Sequence, residues 1–209
     1  YFEQKKYLNI SIFNKKYKIK NLILNKIQIE NIECAIACAL AMKISPKKIV
    51  NTLHKLKSAP GRFEEIIYKK KSSKIIIDYA HTPDAIENLL KSYSSNTFKP
   101  SLVFGCGGER DKSKRKKMAI IANKYANKVY LTDDNPRNEN PNLIRKTLKK
   151  FCPKAVDISN RRLAIHTAIS AIDKKDILII AGKGHEKYQI IKNKNYVFDD
   201  YQVAKDFIK

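Results

Sequence analysis

The residues best suited to chemistry lie in the segment 132–137, which reads TDDNPR. It follows an apolar run, residues 128–131, that is short and β-rich enough to be a buried strand, and the Asn-Pro pair then predicts a turn. In a parallel α/β sheet, ligands bind in the crevice beyond the carboxyl ends of the strands. There Asp134 could hold an ammonium group, and Arg137 could bind a carboxylate through two hydrogen bonds. The segment therefore suits a zwitterionic ligand, although a polar turn with a satisfied aspartate explains it equally well when it is taken alone.

Two further loops each follow a predicted strand and combine glycine with charged residues. The first, residues 105–111 (GCGGERD), is expected to enter a helix whose first turn holds Arg110 and Asp111, and free N–H groups at a helix start favour an anion. It is not a Walker A loop and lacks the spacing of a dinucleotide-binding motif, so a tight strand-to-helix turn is the alternative. The second, residues 181–186 (AGKGHE), places the carboxylate of Glu186 where it could bind an ammonium group.

Residues 78–83 (DYAHTP) precede these three motifs, and the four in this order resemble the C-terminal part of the Mur ligases. The resemblance runs from about Gln28 to the end of the chain. It is greatest to the members that add meso-diaminopimelate to UDP-MurNAc-L-Ala-D-Glu. It implies ATP-dependent amide formation through an acyl phosphate, which the amine of diaminopimelate attacks, with Mg²⁺ and basic side chains on the phosphates.

The resemblance also implies roles for individual residues. The diaminopimelate site would comprise Arg110, Asp134, Asn135, Pro136, Arg137, Gly182 and Glu186. The ATP site would comprise Asn31, Arg62, Asp78 and His81, although residue types alone favour a structural role for the last two. Diaminopimelate differs from lysine by one carboxylate on the far carbon, so a guanidinium at that point disfavours lysine. Arg137 is therefore expected to carry the specificity, and no catalytic side chain or metal ligand is assigned.

Strands that alternate with helices must position these motifs. The strands are predicted at residues 74–78, 101–104, 128–132, 155–158 and 176–181. This order predicts an α/β fold with a Rossmann-like, mostly parallel sheet flanked by helices. Residues 176–181 are the most apolar of the strands and are expected at the centre of the sheet.

A Pro/Gly segment, residues 58–64, predicts a domain boundary. Residues 61–209 would form the Mur ligase C-terminal domain, and residues 1–60 would be the end of the central ATP-binding domain.

Within residues 1–60, strands and helices are both expected. Residues 1–26 alternate apolar and basic residues, which predicts strands with turns near Asn14 and Asn21. A helix is expected from Asn31, and a second begins at Ser45, with a proline in its first turn.

Composition argues against two classes of partner. The 43 basic and 20 acidic residues give a net charge of +23, which would ordinarily suggest nucleic acid. Lys, Ile and Asn are, however, enriched along the whole chain, and no stretch interleaves basic residues with aromatics as a stacking surface would. No apolar run approaches a membrane span. We therefore expect neither a nucleic-acid nor a membrane partner, and the positive field would favour substrates such as ATP and UDP-sugars.

The four cysteines form no metal-ligand spacing. Cys34 and Cys38 lie four residues apart in an apolar helical pattern and are expected to be buried core thiols. Unpaired cysteines predict a reducing, cytoplasmic location, and we expect a monomer.

The chain begins with Tyr1 rather than Met, so we expect it to be a piece of a longer ligase. It contains no GxxxxGK[ST] motif, and we expect it to hold the amino-acid site but to be inactive alone. Two alternatives stay open at this point. One is a non-catalytic amino-acid binding module, and the other is a lysine-adding or folylpolyglutamate-synthase-like ligase.

Overall fold

The computed structural model describes residues 7–20 and 26–209. The chain divides into two compact units, Tyr1–Lys57 and Ser58–Lys209. The turn predicted near Asn21 lies outside the described residues. The assignment of residues 1–60 to the end of an ATP-binding domain stays a prediction.

The Tyr1–Lys57 unit contains a hairpin and two helices. Strands β1 (Tyr7–Ile12) and β2 (Lys15–Lys20) pair antiparallel, and the turn between them confirms the one predicted near Asn14. Helices α1 (Lys26–Ala41) and α2 (Pro46–Leu53) follow. A small apolar core joins these elements through Ile12, Ile19, Ile36, Ile49 and Leu53.

Two predictions for this unit need correction. Helix α1 begins at Lys26, earlier than the predicted start at Asn31. Cys34 and Cys38 are exposed, so the prediction of buried thiols is wrong. Ile36 marks the buried face of α1, and each cysteine is two residues away from it, or about 200° around the helix.

The Ser58–Lys209 unit is built on a six-stranded sheet. Its strands are β3 (Glu64–Tyr68), β4 (Ser73–Asp78), β5 (Ser101–Phe104), β6 (Val129–Leu131), β7 (Val156–Asp157) and β8 (Ile177–Ala181). The order across the sheet is β3-β4-β8-β5-β6-β7. Strand β3 is antiparallel to β4, and all other neighbours are parallel. The predicted mostly parallel sheet is therefore confirmed, with β8 in its interior.

Helices cover both faces of this sheet. They are α3 (Pro83–Ser92), α4 (Ser113–Tyr125), α5 (Pro141–Phe151), α6 (Arg161–Ser170) and α7 (Asp200–Phe207). Successive residues of a strand point to opposite faces, so Ile179 packs in the core formed with α3, α4 and α5, whereas Ile180 packs with α6 and α7. The predicted α/β architecture is thus a three-layer arrangement with two apolar cores.

Two features of this unit were not predicted. Strand β3 begins at Glu64, the last residue of the Pro/Gly segment, whose turn signals obscure the strand. A hairpin of β9 (Tyr188–Ile191) and β10 (Lys194–Val197) follows the central strand. Strand β10 is exposed along its whole length, so it lacks the apolar alternation that predicts a strand. In the part of the chain that the structure describes, no helix is long and apolar enough to cross a membrane.

Candidate functional site

Four loops converge at the carboxyl edge of the parallel strands. Strands β4, β8, β5 and β6 are neighbours with the same direction, so the loops that follow them leave the sheet on one side. Residues of these loops line a cavity of about 480 Å³, which lies in the range of ~300–1,000 Å³ that is usual for small-molecule sites. Six of the residues predicted for an amino-acid site line it: Arg110, Asp134, Asn135, Arg137, Gly182 and Glu186.

Pro136, the seventh predicted residue, is buried beside the cavity and does not belong to its lining. Its carbonyl accepts a hydrogen bond from the Glu139 backbone N–H. A Cβ at Gly108 would lie 2.0 Å from that carbonyl oxygen. Pro136 therefore shapes the turn that follows Asn135 and packs against the glycine loop.

A hydrogen-bonded network joins the segment 132–137 to the loop after β8. Asn135 Nδ2 donates to Glu186 Oε2 at 2.9 Å, and Asn135 Oδ1 accepts from Lys183 Nζ at 2.7 Å. Lys183 is fully buried, and its Nζ lies 3.8 Å from Asp134 Oδ1. Burial lowers the pKa of Lys183, and the Asp134 carboxylate partly opposes that shift. The buried ammonium of Lys183 thus links the loop after β8 to the segment 132–137.

Arg137 is held at the cavity by its backbone as well as its side chain. Its backbone N–H donates to the Ile190 carbonyl at 3.1 Å, and its own carbonyl accepts from the Lys192 N–H at 2.8 Å. Its Nη1 donates to the carbonyls of Gly108 at 2.9 Å and Asn135 at 3.4 Å. Both of these side-chain bonds use one nitrogen, so the other N–H groups of the guanidinium can serve a ligand.

Position 182 requires glycine because its backbone has a positive φ and lies very close to the Asp134 carboxylate. Its φ of 115° lies in the region that side-chain-bearing residues rarely adopt. A Cβ at Gly182 would lie 2.6 Å from Asp134 Oδ2. The missing side chain therefore lets the Asp134 carboxylate lie directly against the loop after β8.

The loop after β5 differs from its prediction. Helix α4 begins at Ser113, so Arg110 and Asp111 precede the helix and do not belong to its first turn. The reason is that Glu109 adopts a left-handed conformation with φ of 54°. Asp111 Oδ1 then accepts a hydrogen bond from the Ser113 N–H at 2.8 Å, before the helix begins. Arg110 nevertheless lines the cavity.

A partly buried ion pair fastens this loop to the segment that follows Arg137. Arg115 Nη1 and Nη2 each donate to the Glu139 carboxylate at 3.0 Å, and Nη2 also donates to the Gly107 carbonyl at 3.1 Å. The Glu109 N–H donates to Glu139 as well. The hydrogen bonds from Arg115 are the main cause that lowers the pKa of Glu139 to about 2.

Among the residues predicted to face ATP, Asp78 and His81 lie at the end of β4. Asp78 is buried, and its two oxygens accept from the N–H groups of Phe63 at 2.8 Å and Ala80 at 2.7 Å. Burial raises the pKa of Asp78, while these two hydrogen bonds oppose that shift. His81 lines the cavity. The hydrogen bonds of Asp78 thus connect the start of this unit to the end of β4.

The other two predicted ATP residues lie in different units. The Arg62 guanidinium carbon lies 4.9 Å from the centre of the Tyr79 ring. Asn31 is an exposed residue of α1 in the Tyr1–Lys57 unit. Arg62 therefore lies beside the residues at the end of β4, and the ATP role of all four residues stays a prediction.

Several contributors to the site were missed from the sequence. Lys183 sits inside a recognised motif, so its position between two glycines was a signal that could have found it. Arg115 belongs to a lysine-rich helix start and carries no such signal. Tyr188 and Ile190, from the unpredicted hairpin, line the cavity. Among residues 7–20 and 26–209, no cluster of three or more His, Cys, Asp or Glu could hold a metal ion.

Comparisons with known proteins agree with this architecture. Residues 61–184 match the family described as Mur ligase, glutamate ligase domain. The chain is 40% identical over 207 residues to UDP-N-acetylmuramoyl-L-alanyl-D-glutamate--2,6-diaminopimelate ligase of Rickettsia rickettsii, which covers 97% of this chain and 42% of the relative. It is 45% identical over 181 residues to the protein of the same name from Anaplasma marginale (strain St. Maries), covering 85% of this chain and 37% of the relative.

A solved structure of a protein with the same name shares this fold. Its TM-score to the chain is 0.68 at 35% sequence identity, and the match covers 97% of this chain and 42% of the solved chain. The chain thus spans about two fifths of the length of the relatives that it matches.

Proposed function

The chain belongs to the Mur ligase family, and from that premise we propose that its cavity binds meso-diaminopimelate for a ligase that joins it to UDP-MurNAc-L-Ala-D-Glu. The curated relatives described above carry the name of that ligase. The reaction would form an amide from an acyl phosphate made with ATP.

The observation that carries this proposal is the charge pattern of one cavity. Its lining includes two guanidinium groups, Arg110 and Arg137, and two carboxylates, Asp134 and Glu186. Diaminopimelate carries two carboxylates and two amino groups, so it can complement all four side chains. Lysine has one carboxylate fewer and would leave a guanidinium unpaired beside its ammonium group.

Each of these four side chains then has a definite role. Arg137 binds the carboxylate at the far end of diaminopimelate, because its guanidinium is anchored through Nη1 and can offer further N–H groups. Arg110 binds the other carboxylate. Glu186 and Asp134 hold the ammonium group next to the carboxylate on Arg137.

The contribution of this pocket to amide formation is positioning. The amine that is not held by the acidic side chains would attack the carbonyl of the acyl phosphate, forming the C–N bond while the phosphate leaves and the amine loses a proton. Fixing the remaining groups of diaminopimelate brings that amine to the carbonyl at a high effective concentration. The Cys106 thiol in the lining has a pKa raised to about 12 by burial, so we assign it no nucleophilic role.

Further parts of the proposal concern groups outside the cavity. We infer that residues 1–60 are the end of a central ATP-binding domain, and that Asn31, Arg62, Asp78 and His81 face ATP when the longer ligase is assembled. ATP and Mg²⁺ are then requirements of the whole ligase, and we assign no Mg²⁺ ligand among the described residues. We also propose that the 209 residues alone do not ligate, which an assay with ATP, Mg²⁺ and both substrates would test.

Calorimetric titration of the 209-residue chain with meso-diaminopimelate, and separately with L-lysine, tests the assignment. We expect diaminopimelate to bind at least about 30-fold more tightly, the ratio that corresponds to one charge-assisted contact of about 2 kcal/mol. Equal binding of the two, or tighter binding of lysine, would favour the lysine-adding alternative. Undetectable binding of both would contradict the amino-acid site itself.

A further inference from the structure

Lys183 is a charged residue of the cavity region that has no role in the proposed binding scheme, although its side chain is fully buried. Its Nζ donates to Asn135 Oδ1 at 2.7 Å and to the Tyr188 carbonyl at 2.8 Å. It also lies 3.5 Å from Glu186 Oε2 and 3.8 Å from Asp134 Oδ1. A buried ammonium is costly unless it is paired and hydrogen-bonded, and here four oxygens satisfy it.

The ammonium group determines which way the Asn135 amide faces. Asn135 Oδ1 accepts from two donors, Lys183 Nζ and the Ile190 N–H at 2.9 Å. Two donors on that side require the oxygen there, so the NH₂ end must face Glu186. It donates to Glu186 Oε2 at 2.9 Å. A reversed amide would set its NH₂ group against an ammonium and its oxygen against a carboxylate.

Lys183 also sets the charge around the two carboxylates. Asp134 comes from the loop after β6 and Glu186 from the loop after β8, and both line the cavity. Two like charges in one cavity repel each other, and the Lys183 ammonium, 3.5 Å from Glu186 Oε2 and 3.8 Å from Asp134 Oδ1, offsets that repulsion. The other charged groups that act on Lys183 are Arg161 of α6 and Asp200 of α7, which form a buried pair with each other at 2.7 Å.

We propose that Lys183 is a positioning residue of the amino-acid site, which acts through Asn135 to orient Glu186 and offsets the repulsion between Glu186 and Asp134, so that both carboxylates can face the ammonium group of the ligand. The proposal rests on the proposed function for the identity of that ligand. The competing role is that of a structural tie, in which Lys183 only fastens its loop to the hairpin through the Tyr188 carbonyl.

Two variants of the full 209-residue chain separate these roles. Lys183→Met removes both the charge and the hydrogen bonds. Lys183→Gln removes the charge but keeps a donor for Asn135 or Tyr188, so it preserves a structural tie. Lys187→Met is the matched control, because Lys187 is an exposed lysine of the same loop that pairs with Asp199. Binding of meso-diaminopimelate is measured by calorimetry at pH 7, and the Asn135 side-chain NH₂ signals are followed by ¹⁵N NMR without ligand.

We expect both Lys183 variants to bind diaminopimelate roughly 10- to 100-fold more weakly at pH 7, the effect of losing the ammonium that lies beside Glu186 and Asp134. Lys187→Met should bind it with wild-type affinity. The Asn135 NH₂ signals should shift in Lys183→Met and stay in place in Lys187→Met.

Wild-type affinity for diaminopimelate in Lys183→Gln would overturn the proposal in favour of a structural tie. If Lys183→Met does not fold, Lys183→Gln decides the question by the same measurements. If the wild-type chain binds no diaminopimelate, the proposed function fails. The Asn135 NH₂ signals still test the role of Lys183 in that case. Unchanged signals in a folded Lys183 variant would show that Lys183 does not orient the Asn135 amide.

Discussion

Replacing Arg137 with alanine should abolish the preference for meso-diaminopimelate over lysine. The guanidinium lines the same cavity as Glu186 and Asp134 and is anchored by Nη1 to the carbonyls of Gly108 and Asn135. Its remaining N–H groups can bind a carboxylate only while this anchor holds. Lysine has no carboxylate at that point, so Arg137 should not strengthen the binding of lysine.

The expected magnitude follows from the kind of contact that is lost. A charge-assisted hydrogen bond contributes about 1.5–3 kcal/mol net, so losing one such bond should weaken diaminopimelate binding by roughly 10- to 200-fold, and losing two should weaken it further. Lysine binding should change by less than about threefold or improve, because removing the guanidinium removes like-charge repulsion. The free energy of unfolding should fall by only about 1 kcal/mol, since two partly buried carbonyls lose a donor.

The assay is calorimetric titration of both ligands into the wild-type chain and three variants. Arg137→Lys keeps the charge but loses the planar fork, so it should retain part of the affinity for diaminopimelate. Arg162→Ala is the control, because Arg162 is an exposed arginine packed over Phe198. Thermal melting shows that each variant is folded. An unchanged ratio of the two affinities in folded Arg137→Ala would refute the assignment of specificity to this residue.

Three further predictions concern other parts of the Ser58–Lys209 unit and the exposed cysteines. Gly182→Ala should lower the free energy of unfolding by about 1–3 kcal/mol, because an alanine there has a strained backbone and contacts Asp134. Urea unfolding measures this change, and an unchanged stability would contradict the close approach of Gly182 to Asp134. Glu139→Gln should destabilise the chain by about 1–2 kcal/mol at pH 7 through the lost pair with Arg115. The folded-state pKa of Glu139 is lowered from 4.5 to about 2. The difference in unfolding free energy between the wild-type chain and Glu139→Gln should therefore be complete above pH 4.5 and disappear as the pH falls towards 2. Urea unfolding at several pH values measures it, and a difference that does not change with pH would contradict the reasoning. A thiol reagent should modify two cysteines of the native chain quickly and two only after unfolding, the fast pair being Cys34 and Cys38; four equal rates would contradict the burial of Cys106 and Cys152.

The interior strands of the sheet could be predicted because they are buried on both faces. Residues 177–181 are apolar without interruption, which is typical of interior parallel strands, and the predicted strand 176–181 differs from β8 by one residue. Strand β10 has no buried residue and could not be found in this way. The burial of Cys34 was mispredicted because residues 34–41 are all apolar, so the sequence does not reveal which side of this part of the helix has a partner.

The cavity was predictable to the extent that each motif follows a parallel strand. Topology alone brings such loops together, which is why Arg110 and Glu186 line one cavity although they are far apart in sequence. The inner supports of the site were not predictable. Lys183 and Arg115 act through backbone carbonyls and side chains of other loops, and those partners depend on how the loops turn.

The β9–β10 hairpin has a practical consequence for anyone who wishes to excise this domain. The match to the family model ends at residue 184, yet the backbone of Ile190 bonds both Asn135 and Arg137. Helix α7 supplies Asp200 to the buried guanidinium of Arg161. A chain that ended at residue 184 would keep all six strands of the main sheet. It would lose one wall of the cavity, and the buried guanidinium of Arg161 would lose its partner Asp200. A piece that keeps this cavity and this ion pair therefore extends some twenty residues past the end of the family-model match, through Phe207 at the end of α7.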